Sequence, residues 1–93
     1  MHVAVVSYKL RLFGINSLKE KRSVLKKLIN EMRTKFNVSV CEAGYTDSKN
    51  WSQLGVAIVS SAQTVLDTIV ENVTAMIENT KGLEVVEVER EGW

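Results

Sequence analysis

From His2 to Phe13 the even positions Ala4, Val6, Tyr8, Leu10 and Leu12 are apolar, while the odd positions run from Val3 and Val5 to Ser7, Lys9 and Arg11. A period of two predicts a long strand with its even face inward. Gly14 breaks that pattern. Ser17, followed three residues later by Glu20, forms a capping box that opens a helix. Leu18, Leu25, Leu28, Ile29, Met32 and Phe36 then recur on one helical face, and Asn37 ends it. Val38 through Tyr45 reads as a second strand, Thr46 to Trp51 as a turn-rich loop, and Leu54, Val56 and Ile58 as the inward side of a third strand. Ser60 with Gln63 makes a second capping box. Val65, Leu66, Ile69, Val73, Met76 and Ile77 give the next helix its apolar stripe, Gly82 stops it, and "LEVVEVERE" closes the chain as a strand.

The loop between strands two and three is too short for a crossover, so those strands form a hairpin. The order β-α-β-β-α-β predicts an α+β, ferredoxin-like sandwich: one antiparallel four-stranded sheet with two helices on one face. Val6, Tyr8, Leu10, Leu25, Ile29, Met32, Val56, Ile58, Val65, Ile69 and Val73 are the expected core. On the other face Val3, Val5, Cys41, Ala43, Ala57 and Val59 form an apolar surface, from which a homodimer is expected.

Composition adds limits. Residues 1–93 suit a single domain, and 45% apolar with 25% charged residues is an ordinary globular balance. No apolar run approaches the roughly twenty residues of a membrane span, and Met1 leads directly into a strand pattern, so the expected location is the cytoplasm. The single cysteine, Cys41, permits no internal disulfide and reads as a small buried hydrophobe.

The net charge of +1 conceals an asymmetry. Residues 1–51 carry ten Lys/Arg against four Asp/Glu, a balance of +6, and residues 52–93 carry two against seven, a balance of −5. With Leu18 at zero and 100° per residue, Arg22, Arg33, Lys26 and Lys19 fall at about 40°, 60°, 80° and 100° on the first helix, with no carboxylate among them. Lys27 lies at the back, and Lys21 and Lys35 on the other side. Lys19, Lys21 and Arg22 also crowd the positive end of the helix dipole, where acids are favoured. This stripe, with Lys9 and Arg11 at the end of the first strand, is the candidate RNA-binding surface. The competing reading is a non-catalytic interaction module, either a homo-oligomer or one docking on an acidic protein.

Other chemistry lacks its residues. The strand faces expected to lie open, Val3, Val5 and Ser7 beside Gly55, Ala57 and Val59, offer no aromatic platform for bases. "LFGINS" lacks the glycine-rich, arginine-centred loop of acylphosphatases. His2 and Cys41 have no partners at metal-ligand spacing, so no cofactor and no metal are expected. Glu84, Glu87, Glu89 and Glu91 read as a solvated acidic edge that resists strand addition. Trp51 and Trp93 read as loop and terminal packing.

"SLKEKR" at 17–22, "FNVSVCE" at 36–42 and "LGVAIVS" at 54–60 resemble the YlxP-like family of small bacterial proteins of unknown function. The three segments stand in the family's order and spacing, although members often carry a proline where this chain reads "LFGIN". The resemblance implies no activity, cofactor or catalytic residue. Through gene neighbourhood with translation-initiation and ribosome-maturation factors, it implies a place near RNA or the ribosome.

Overall fold

The computed structural model describes residues 1–92; the reading of Trp93 lies outside the described residues. The elements are β1 (His2–Leu12), α1 (Leu18–Phe36), β2 (Ser39–Gly44), β3 (Trp51–Ser60), α2 (Gln63–Glu78) and β4 (Leu83–Gly92). They form one sheet of order β2-β3-β1-β4, antiparallel throughout, with β2 and β4 at its edges. This is the expected ferredoxin-like sandwich. Ala4, Val6, Tyr8, Leu10 and Leu12 are buried beneath the helices, and Val3, Val5, Ser7, Lys9 and Arg11 stand on the opposite, open face. Each fully buried Leu, Met or Val contributes roughly 1.5–3 kcal/mol. Leu25, Leu28 and Met32 of α1 and Leu66, Val70, Val73 and Ile77 of α2 provide the helical half of that core.

Local signals account for most of the boundaries. Ser17 Oγ accepts from Glu20 N at 3.1 Å, satisfying one orphan donor of α1, and the Glu20 carboxylate reaches one residue past the cap to accept from Asn16 N at 3.0 Å. Asn37 closes α1 in the left-handed region (φ 52°), its N–H donating to Arg33 O. Gly82 (φ +86°) turns the chain into β4 and accepts from Phe13 N at 2.9 Å, although α2 itself ends at Glu78, ahead of it.

Several expectations are corrected. Ser60 does not take the cap position of α2: it remains paired in the sheet opposite His2, its Oγ accepting from Ala62 N at 3.3 Å, and Ala62 is the cap with no side-chain hydrogen bond of its own. Val65 is 49% exposed and Val70 is buried instead, because the buried stripe of α2 centres on Leu66, Val73 and Ile77. Ile29 and Ile69 are only partly buried at the margin of the core. Cys41 is exposed on the open face, since strand parity turns it away from the inward Val40 and Glu42.

Candidate nucleic-acid interface

The six cations singled out in the sequence fall on two different surfaces. Lys19, Arg22 and Lys26 are exposed along one flank of α1, and none has a carboxylate within 4.0 Å among the described residues. Arg33 lies further along the same flank. Its Nη2 donates to Val40 O at 2.9 Å, placing a guanidinium on the outer side of edge strand β2. An occupied edge carbonyl is unavailable to a foreign strand. The flank therefore borders the β2 edge of the sheet.

Lys9 and Arg11 stand apart from this stripe, on the open face. In register they lie opposite Glu87 and Glu84 of β4, though neither pair closes to 4.0 Å among the described residues. Aromatic rings hold them as well: Lys9 Nζ lies 5.1 Å from the Trp51 centroid and 5.4 Å from that of Tyr45, and the Arg11 guanidinium 5.1 Å from Phe13 and 5.8 Å from Trp51. The open face thus does carry aromatic side chains, contrary to expectation. Trp51 belongs to β3 rather than to the preceding loop, because Ser48 Oγ gathers the N–H groups of Asn50 and Trp51 and Leu12 N reaches Asn50 O. Lys9 and Arg11 cover these rings, with Glu87 and Glu84 across the register.

Lys21, between Lys19 and Arg22 in the chain, has a different task. It is fully buried, and its three N–H bonds go to Tyr45 O (2.6 Å), Ser48 O (2.5 Å) and Glu42 Oε2 (3.0 Å). Glu42 Oε2 also accepts from buried Ser52 Oγ at 2.6 Å. A buried ammonium is tolerated only when its donors are satisfied, and here all three are. Lys21 thereby ties α1 to the β2–β3 loop that presents Tyr45. The sequence carried a signal for this: on the wheel Lys21 falls at about 300°, between Leu28 and Leu25, in the middle of the apolar face.

Two further groups are tuned by their surroundings. Burial pushes the Tyr8 hydroxyl above its ordinary range, with a 2.7 Å hydrogen bond to Thr74 Oγ1 opposing the shift. Arg90, 2.6 Å from Asp67, holds that exposed carboxyl below its usual range. Both couple α2 to the sheet.

A family described as a protein of unknown function, DUF503, matches residues 3–90. The chain belongs to this family. It is 37% identical over 73 residues to the uncharacterized protein YlxP of Bacillus subtilis (strain 168), spanning 78% of this chain and 79% of that one. Among solved structures it is similar to a de novo designed protein with a ferredoxin fold, LFR1 1, at 11% identity and TM-score 0.58, covering 100% of this chain and 84% of that one. It is similar also to SnoaB, a cofactor-independent oxygenase from Streptomyces nogalater, at 9% identity and TM-score 0.54, covering 99% and 90%. At these identities the structural likeness establishes the fold alone.

Proposed function

We propose that the protein docks on structured RNA through Lys19, Arg22 and Lys26 of α1, with Arg33 extending the contact where α1 meets β2. Ribosomal RNA is the first candidate, on the gene neighbourhood that the family resemblance implies. The observation that supports this most is the contrast between cations. Lys21 and Arg90 are ion-paired, and Lys9 and Arg11 lie opposite Glu87 and Glu84 in register, while Lys19, Arg22 and Lys26 share one exposed flank of α1 whose own carboxylates, Glu20 and Glu31, lie off that flank. Such a row matches a phosphate backbone, which rewards spaced positive charge without demanding a base sequence.

Each phosphate contact contributes about 0.7–0.9 to the log–log slope of affinity against salt, so three contacts predict a loss of roughly 20- to 40-fold between 50 and 200 mM salt. The test is co-sedimentation with ribosomes at low and high salt, comparing wild type with a folded Lys19→Glu, Arg22→Glu, Lys26→Glu variant. The wild type should pellet at low salt and be released at high salt, and the variant should remain in the supernatant. Equal pelleting of the two proteins, or none of either together with no retention on RNA, refutes the reading. Equal retention of the wild type on an acidic protein surface supports the interaction-module reading instead.

A further inference from the structure

The open face of the sheet is divided by charge. At one end Val3 and Val5 of β1 lie opposite Val59 and Ala57 of β3, with Ser39 and Cys41 of β2 alongside. Val59 is 62% exposed and Val5 37%. Gly55, Ala57 and Ser7 keep the middle of this surface flat. Along the far edge, β4 sets Glu91, Glu89, Glu87 and Glu84 opposite Val5, Ser7, Lys9 and Arg11. A flat apolar end beside a row of like charges is an incomplete surface for a monomer, and it restricts how a covering partner can lie.

We propose that the partner is a second copy of this chain, packed open face to open face about a two-fold axis running along the strands between β1 and β3. The charge row selects that axis. An in-plane axis across the strands would set β4 against β4 and bring the glutamates of the two copies together. An axis along the strands sets β4 against β2, whose open-face positions Ser39 and Cys41 carry no charge. The same operation places β1 over β3, so Val3 meets Val59 and Val5 meets Ala57 of the other copy. The valines then cover each other at the centre, as an isologous interface requires.

The area is sufficient. Strands of 11, 6, 10 and 10 residues, about 4.8 Å apart with about 3.3 Å per residue, give a face on the order of 600 Å² per copy, ~1,200 Å² in total. That lies just above the ~1,000 Å² of a specific interface, so the dimer should form reversibly in the micromolar range. Both helices lie on the opposite side of the sheet. The cationic flanks stay exposed in the dimer, and the inference stands independently of RNA binding.

Light scattering and sedimentation equilibrium on the protein alone, from low to high micromolar concentration, should show a mass rising toward twice 10.4 kDa. Val59→Lys and Ala57→Glu, each confirmed as folded by circular dichroism, should both hold it at the monomer mass. In a Cys41→Ser background, a chain with Val5→Cys mixed with one carrying Ala57→Cys should give a covalent dimer with a bifunctional thiol cross-linker about 10 Å long, the spacing of packed sheets, and Glu89→Cys alone should not. A monomer at every concentration overturns the proposal. A dimer indifferent to both substitutions overturns the face, and cross-linking through Glu89→Cys in place of the mixed pair overturns the axis.

Discussion

Replacing Lys21 with methionine keeps most of the side chain's volume and removes only its charge and donors. In the native fold that ammonium satisfies the carbonyls of Tyr45 and Ser48 and the carboxylate of Glu42, whose side chain is 18% exposed. Removing one partner of a buried ion pair destabilises by about 3–5 kcal/mol, since the remaining charge is left without compensation. Glu42 keeps some water and the Ser52 hydroxyl, so the expected loss is near the lower end, ~3 kcal/mol. For a domain of this size 1 kcal/mol corresponds to about 4–8 °C, so the midpoint should fall by roughly 12–24 °C. Urea and thermal unfolding followed by far-ultraviolet circular dichroism would measure it. Adding Glu42→Leu removes the stranded carboxylate, and the double variant should recover more than half of the loss. A single-variant loss below about 1 kcal/mol, or a double variant no more stable than the single, would refute the view that Lys21 and Glu42 act as a pair.

Three other expectations follow from particular contacts. Because burial raises the folded-state pKa of Tyr8 above the ordinary tyrosine value of 10.0, the native state holds that proton more tightly than the unfolded chain. Stability should therefore decline as pH rises above 10, and Tyr8→Phe should show a shallower decline in unfolding measurements from pH 8 upward. Ser17→Ala should cost about 1 kcal/mol through loss of the α1 cap, while Ser60→Ala should cost less, since Ser60 Oγ accepts only a long 3.3 Å bond from Ala62 N ahead of α2. Chemical denaturation of both variants distinguishes these outcomes.

The elements were legible because their periods agree with their burial. Even positions of β1 and the Leu25, Leu28, Met32 stripe of α1 went inside as read. Val65 and Ser60 were misplaced for reasons that need the third dimension: the sheet decides which part of α2 it covers, and pairing with His2 keeps Ser60 in the strand. Strand parity places Cys41 on the open face, where it stands exposed, whereas residue type alone reads it as buried. Lys21, Glu42 and Ser52 each occupy an inward position on a separate element, and a single polar residue at such a position reads as tolerated. Their meeting at one Nζ is visible only in the fold. The candidate interface divides in the same way: the α1 stripe follows from the wheel, whereas the carboxylates opposite Lys9 and Arg11 follow from the β1–β4 register.

The role of the α1 flank is tested most directly by the salt dependence of binding to ribosomal RNA by wild type and by Lys19→Ala, Arg22→Ala and Lys26→Ala singly. Each substitution should weaken binding at every salt concentration and lower the magnitude of the log–log slope by about 0.7–0.9. Slopes that match the wild type for all three variants would contradict the account, because they would mean that none of these cations displaces a counterion from RNA.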